Sequence, residues 1–260
     1  MSAAQGTYVY AVVAARRRPR LTRVPAGLPG TGKVHLLDAA PDLFVVVADA
    51  PLDRYGEAAI NRGLADLDWV SRAAVAHEAV VEAFIGEMAV LPMKLFTIFM
   101  NDERVLDHVR ADRQRIAAMI ARVADHQEWG IRVVLDRTRA AGAQRPNAKP
   151  GSRAAASGIA YLAHKKAQRD STAKLATNAR QTVAALYDRL SSRARDARRR
   201  TASELPMESG PLLLDAAFLV PRARAAAFQT LTAREAKSLE RQGYGLTVTG
   251  PWPPYTFVQD

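Results

Sequence analysis

The sequence predicts an α+β protein with two domains, and three observations support this prediction. Strand-like and helix-like patterns follow one another irregularly over residues 1–139, which is typical of an α+β sandwich. Residues 140–157 combine glycine, proline, serine and basic residues, as an interdomain linker does. The charge also changes at this point, with 18 basic and 17 acidic residues in 1–141 but 19 and 9 in 142–260. We therefore predict domains at residues 1–139 and 158–260.

Five strands are expected in the first domain, because short segments rich in β-branched and aromatic residues recur between turn signals. They cover residues 7–15, 34–37, 43–48, 90–99 and 131–135. Pro41 and Asp42 form the turn between the second and third strands. Pro92 places part of the fourth strand at a sheet edge or a bulge. A basic loop rich in proline and glycine, residues 16–33, follows the first strand.

Two helical regions separate these strands. Apolar residues recur every three or four positions over residues 53–87, where Gly56 and Gly63 predict a break. The second region begins after Asn101, a suitable N-cap residue that is followed by acidic residues in the first turn. With its helices on one side of the sheet, the first domain resembles a ferredoxin-like sandwich with an extra strand.

The second domain is predicted to be α+β with long basic helices. No glycine or proline occurs between Gly158 and Pro206, and apolar residues keep helical spacing there. One long helix and a helical hairpin both fit this pattern. A strand, a helix and a strand follow, at residues 212–220, 222–242 and 244–249. Gly243 is well placed as the C′ residue of that helix.

Two motifs look catalytic but lack residues that their chemistry requires. Residues 27–33 match the spacing of a nucleotide-binding P-loop, yet Val34 stands where a hydroxyl would hold magnesium, and a strand pattern follows instead of a helix. His77 and Glu78 match the first two residues of the zinc-protease motif His-Glu-x-x-His, but Val81 occupies the position of the second histidine ligand. We therefore predict a flexible loop, a histidine packed at a domain surface, and no catalytic, cofactor-binding or metal-binding residue.

The stretch from Arg145 to Arg200 is strongly basic, with 14 basic and 3 acidic residues. A solvated helix face is the first interpretation, docking of an acidic protein partner the second, and nucleic-acid binding the third. Nucleic acid ranks last because only Tyr161 and Tyr187 could stack on bases. No apolar segment approaches the roughly 20 residues that a membrane span needs, so we expect no membrane partner.

The last residues form a proline-rich segment with aromatic side chains. Residues 250–258 read Gly-Pro-Trp-Pro-Pro-Tyr-Thr-Phe-Val, in which the prolines stiffen the backbone around Trp252 and Tyr255. This segment closely resembles the C-terminal signature of the GvpL/GvpF family of gas vesicle proteins. Further family-like motifs occur in order along the chain: Tyr8-Val9-Tyr10, Asp68-Trp69-Val70, His77-Glu78-Ala79-Val80, Glu128-Trp129-Gly130, Ala160-Tyr161-Leu162 and Ala217-Phe218-Leu219-Val220. Relatives usually read Phe-Gly-Thr where this chain has Leu95-Phe96-Thr97.

The resemblance implies a non-catalytic accessory protein of gas vesicle formation, without a cofactor, in the cytoplasm and at the gas vesicle. Its implied partners are the small, hydrophobic shell protein (GvpA-type) and other accessory proteins. We expect the chain to bind shell subunits and assist assembly. A minor structural component of the vesicle is the alternative, followed by a nucleic-acid binder and a P-loop nucleotide hydrolase. Eight residues are candidates for interaction: Arg16, Arg17, Arg18, Lys165, Lys166, Arg169, Trp252 and Tyr255.

Overall fold

The structure is a computed structural model, and it describes residues 4–135, 158–200 and 211–258. The chain folds into two compact units, and each contains both helices and strands. One unit comprises Met1–Glu128 together with Pro251–Asp260, and the other comprises Trp129–Gly250. The mixed α+β class is thus confirmed, whereas the predicted linker at 140–157 lies outside the described residues. The final residues, which we predicted in the second domain, group with the first unit instead.

An antiparallel sheet forms the centre of the first unit. Its strands are β1 (Gln5–Ala14), β2 (His35–Ala40), β3 (Leu43–Pro51), β4 (Ala89–Pro92) and β5 (Ile98–Phe99). They lie in the order β2-β3-β1-β4, and β5 pairs with β1 at Thr7 and Tyr8. The first three predicted strands are confirmed. The predicted turn is confirmed as well, and Asp42 in it takes a positive φ of 58°.

Helices complete the described part of this unit. They are α1 (Leu52–Tyr55), α2 (Glu57–Gly63), α3 (Leu67–Glu82), α4 (Asp102–Ala111) and α5 (Arg113–Val123). The predicted break is observed, since Gly56 separates α1 from α2 and α2 ends at Gly63. Asp66 caps α3 by accepting from two amides of its first turn. Asn101 caps α4 as predicted, accepting from the Arg104 amide at 3.0 Å.

The helices cover both faces of the sheet, which corrects the prediction that they lie on one side. Successive side chains of a strand point to opposite faces. Tyr8 of β1 belongs to a buried cluster with Val80 of α3. Val9, the next residue, instead lines a cavity of about 380 Å³ with Val105 of α4 and Ile116 of α5. The nearly continuous burial of β1 and β3 follows from this double cover.

The strand predicted at 90–99 is interrupted. β4 ends at Pro92 on the edge of the sheet, as the proline predicts, and β5 begins only at Ile98. Between them Phe96 takes a positive φ of 64°, a left-handed conformation that breaks the strand and favours glycine. The family resemblance leads us to expect glycine at this very position. Phe96 thus replaces the glycine of the family pattern at a position whose backbone conformation glycine would adopt more easily.

A second sheet and two helices form the described part of the second unit. Its elements are β6 (His126–Leu135), α6 (Gly158–Ser191), β7 (Asp196–Arg199), β8 (Leu212–Pro221), α7 (Ala225–Glu240) and β9 (Tyr244–Trp252). The strand order is β7-β8-β6-β9. The core joins Ile131 and Phe218 of the sheet to Leu186 and Leu190 of α6. The predicted strand, helix and strand at the end are confirmed. The helix is capped by Arg241, so Gly243, with a positive φ of 84°, lies one residue beyond the predicted C′ position.

Two predictions for this region are wrong in detail. The strand at 131–135, predicted for the first domain, lies between β8 and β9 in the second sheet. The helical region predicted between Gly158 and Pro206 ends earlier, at Ser191, and Asp196–Arg199 forms an unpredicted strand that pairs antiparallel with β8. The choice that the sequence left open is resolved in favour of one helix of 34 residues.

Candidate interaction surfaces

A buried polar group lies between β1 and α3 in the first unit. The Tyr8 hydroxyl accepts a hydrogen bond from the Phe96 amide at 3.2 Å and forms a second hydrogen bond with His77 Nδ1, with 2.7 Å between the two atoms. The Tyr10 ring stacks on the imidazole, with 5.5 Å between ring centres. Burial lowers the pKa of His77 to about 4. His77 is therefore a neutral core residue, which corrects the prediction of a domain-surface position.

The C-terminal segment is held in the first unit by a buried carboxylate. Glu128, only 2% exposed, accepts hydrogen bonds from the Thr256 amide at 2.7 Å and from the Thr256 hydroxyl at 2.6 Å. Phe257 is buried next to this clamp, and so are Pro253 and Pro254. Two family-like motifs separated by 128 residues thus meet in one local structure.

The two aromatic candidates of this segment differ in accessibility. Tyr255 packs against the core cluster of the first unit, and its hydroxyl is buried. Burial, with a smaller contribution from the carboxylates of Glu78 and Glu82, raises the pKa of this hydroxyl. Trp252, at the end of β9, is half-buried. A role in interaction stays a prediction for both residues, although Tyr255 already has a structural role.

The loop that resembles a P-loop uses its amides within the protein. The Leu28 amide donates to the Tyr10 hydroxyl at 2.9 Å. The Thr31 amide donates to the Leu28 carbonyl at 3.1 Å, and the Gly32 amide donates to the Asp49 carbonyl at 2.7 Å. The strand β2, not a helix, follows this loop. Three amides of the loop are therefore already used, and no helix N-terminus follows that could hold phosphate as in a nucleotide site.

The basic loop of residues 16–33 places its three candidate arginines in two environments. All three are exposed, but only Arg18 is engaged by neighbouring groups in the part of this unit that the structure describes. Arg18 forms an ion pair with Asp38 and donates to the Leu36 carbonyl at 3.1 Å, so it connects the loop to β2. Arg16 and Arg17 are consequently the better candidates for contacts with a partner.

The remaining candidates lie on α6. Lys165, Lys166 and Arg169 are all exposed. Further along the same helix, Leu186 and Leu190 are fully buried in the core of the second unit. The helix is therefore anchored through its C-terminal turns, and the interaction role of the basic residues near its start stays a prediction.

The first unit also carries an apolar groove that the sequence did not reveal. It has a volume of about 930 Å³ and is lined by α1, α2, α4 and the segment around β5. Its apolar side chains include Ile60, Phe96, Phe99 and Met100. Met100 is 70% exposed, and Leu64, one turn after Ile60, is 53% exposed. Because these residues come from separate segments, no periodicity marks the groove in the sequence.

Metal-binding and membrane-spanning features are missing from the residues that the structure describes. No three histidine or acidic side chains within those ranges are grouped as ligands for a metal ion. Among the described helices, none combines the length and the apolar character that crossing a bilayer requires.

Comparison with known proteins gives matches over nearly the whole chain. The model of a family described as gas vesicle synthesis protein GvpL/GvpF matches residues 6–259. Gas vesicle protein L of Streptomyces sp. (strain CB03234) is 31% identical over 262 residues, which cover 99% of this chain and 94% of that protein.

Two solved structures share the fold. GvpF from Anabaena sp. PCC7120 has a TM-score of 0.70 at 15% identity and covers 98% of this chain and 97% of its own. GvpF from Microcystis aeruginosa has a TM-score of 0.67 at 17% identity and covers 98% of this chain and 99% of its own. At these identities the likeness establishes the fold.

Proposed function

Because the chain belongs to the GvpL/GvpF family of gas vesicle proteins, we propose that it is a non-catalytic factor that binds shell subunits and assists gas vesicle assembly. The observation that carries this proposal is the family match over residues 6–259. The partners in this proposal are the GvpA-type shell protein and other gas vesicle accessory proteins. The place of action is the cytoplasm and the growing vesicle.

The apolar groove of the first unit is the surface that we assign to the shell protein. A small, hydrophobic subunit exposes apolar surface before it polymerises, and covering that surface limits aggregation. Phe99 and Met100 offer apolar contacts, while Arg104 and Asp107 belong to the same lining and can orient a bound segment. Burying a side chain of the size of Met100 contributes about 1.5–3 kcal/mol, so a few such contacts suffice for a transient complex.

Co-purification with the shell protein of the same genome tests this proposal. The measured quantity is the soluble shell protein that a tagged copy of this chain retains, at about 50 and 500 mM NaCl. We expect retention that resists salt, because apolar contacts are not screened. Met100→Glu should remove most of it by placing a charge in the groove. Val75→Glu is the matched control, since Val75 is 67% exposed on α3 outside the groove lining, and it should retain shell protein like the wild type.

Other outcomes separate the groove from the wider proposal. Equal loss in both variants would contradict the groove assignment. Binding that disappears at high salt would also contradict the groove as the shell-binding surface. It would instead indicate that basic candidates such as Arg16 and Lys165 bind the shell protein. No retention under any condition would contradict shell binding itself. If washed vesicles then still contain the protein, the alternative of a minor structural component is supported.

We further propose that the two units act as domains and that the first is a variant of the ferredoxin-like sandwich. The antiparallel order β2-β3-β1-β4 supports this description. In this variant the loop at residues 15–34 takes the place of a helix between β1 and β2.

A further inference from the structure

Three arginine side chains surround one pocket of the second unit. The pocket has a volume of about 610 Å³ and lies where the chain leaves α6 and where α7 begins. Arg193, Arg224 and Arg234 line it together with Ala227, Phe228 and Leu231. No acidic side chain belongs to the lining. The pocket therefore combines an apolar floor with a rim of positive charge.

Within the described ranges, the side chains of these three arginines have no ion-pair or hydrogen-bond partner, which distinguishes them from other arginines of the unit. Arg189 donates to Glu235 at 2.9 Å, and Arg132 donates to Asp215 at 3.1 Å. The second unit thus pairs some arginines internally but leaves three positive charges around one pocket. Like charges repel one another, and a bound anion removes that repulsion.

We propose that this pocket binds an acidic segment of a partner protein in which carboxylates flank an apolar side chain. A guanidinium group binds a carboxylate through two parallel hydrogen bonds, and this geometry makes arginine the preferred residue for such sites. The half-buried Leu231 and the exposed Ala227 provide the surface for the apolar side chain. The volume of the pocket is sufficient for a few side chains.

The same lining argues against nucleic acid as the ligand. Single-stranded nucleic acid binds through basic residues together with aromatic faces on which bases stack. Phe228, which is the aromatic residue of this pocket, is only 2% exposed and offers no such face. This pocket is independent of the proposed shell-protein groove. It lies in the other unit, and its proposed ligand is acidic, whereas that of the groove is apolar.

Fluorescence anisotropy with defined probes tests the inference on the full chain. The first probe is a fluorescein-labelled peptide, Gly-Asp-Glu-Leu-Asp-Glu-Leu-Gly. The second is its uncharged analogue with asparagine and glutamine, and the third is a labelled oligouridylate of equal length. We expect the acidic peptide to bind at least about tenfold more tightly than either of the other probes at about 50 mM NaCl.

Matched double variants locate the binding site. Arg224→Glu/Arg234→Glu should weaken binding of the acidic peptide at least about tenfold, because it reverses two charges of the rim. Arg180→Glu/Arg241→Glu makes the same change in net charge at exposed positions of the second unit outside the pocket, and it should weaken binding less than about threefold. All four positions are exposed, and thermal unfolding followed by circular dichroism checks that both variants fold.

Three results would overturn the inference. Equal weakening by both double variants would show attraction to the whole basic surface without a specific pocket. Tighter binding of the oligouridylate would identify a nucleic-acid surface. Equal affinity for the acidic peptide and its uncharged analogue would show that the three guanidinium groups do not select carboxylates.

Discussion

At the scale of single residues, His77 is a neutral imidazole inside the first unit, hydrogen-bonded to Tyr8 and stacked on Tyr10. A buried polar side chain is tolerated when it has a hydrogen-bond partner, and the neutral form of histidine avoids the cost of burying a charge. The family-like motifs around Tyr8 and His77 are therefore two parts of one core contact. This contact has a consequence that unfolding experiments can detect.

We predict that acid destabilises the protein partly through His77. Its pKa is about 4 in the folded protein and 6.5 in the unfolded chain, so between these pH values the unfolded chain binds a proton that the folded protein does not. The free energy of unfolding therefore falls as the pH decreases through this window, by up to about 1.4 kcal/mol per pH unit for this group. Urea unfolding between pH 7 and pH 4 measures the slope, and His77→Gln should reduce it.

Tyr8→Phe is the control for this prediction. It removes the hydroxyl that is hydrogen-bonded to His77 Nδ1 but leaves the imidazole buried. Because burial is the main cause of the lowered pKa, this variant should be less stable at every pH and should keep the wild-type slope. Identical slopes in the wild type and in His77→Gln would contradict the assignment.

At the scale of elements, the break between β4 and β5 shows a local sequence preference in conflict with the fold. The segment at 90–99 is apolar enough for one strand, yet Phe96 takes a positive φ of 64° within it. The conformation is maintained by tertiary contacts, since the Phe96 ring stacks on Trp69 with 5.0 Å between ring centres and its amide donates to Tyr8. Glycine would relieve the backbone but would lose the aromatic contact.

We predict that Phe96→Gly is more stable than Phe96→Ala, by about 1 kcal/mol, because both lose the ring but only glycine adopts the left-handed conformation without strain. Phe99 provides the matched control, since it lies in β5 and has no positive φ. There the order should reverse, with Ala more stable than Gly by about 0.5–1 kcal/mol. Thermal unfolding of the four variants measures both differences. Alanine being the more stable replacement at both positions would contradict the argument.

The sequence predicts elements well where local pattern and tertiary environment agree. A local sequence pattern that agrees with the folded environment marks three features: the first three strands, the N-cap Asn101 and Gly243 after α7. The strand Asp196–Arg199 has none, because its residues are mostly charged and its order depends on pairing with β8. The sheet to which β6 belongs is likewise decided by long-range pairing.

Interaction surfaces were harder to predict than elements for the same reason. Arg16 and Arg17 are exposed as a basic loop suggests, but Arg18 is engaged by Asp38 on β2. The apolar groove gathers side chains from α1, α2, α4 and the segment around β5, and the arginine pocket joins α6 to α7. Such sites exist only after the chain has folded, so neither spacing nor composition marks them.

At the scale of the whole molecule, the chain builds the first unit, then the second, and then returns to the first. Residues 4–128 are followed by Trp129–Gly250, and Pro251 begins the return. The returning segment buries Phe257 and places Thr256 on the carboxylate of Glu128. Completion of the first unit therefore depends on residues that are far away in the sequence.

We predict that truncation after Gly250 destabilises the first unit selectively. The truncated chain loses the burial of Phe257, worth about 1.5–3 kcal/mol, and the two hydrogen bonds from Thr256 to a buried carboxylate, worth about 1.5–3 kcal/mol each. Amide hydrogen exchange should therefore accelerate in β1 and much less in β8, which serves as the internal reference. Thr256→Val should produce a smaller change with the same distribution, whereas Thr247→Val, at an exposed position of β9, should produce none. If exchange rose equally in β1 and β8, the segment would support the whole fold, and its assignment to the first unit would have to be abandoned.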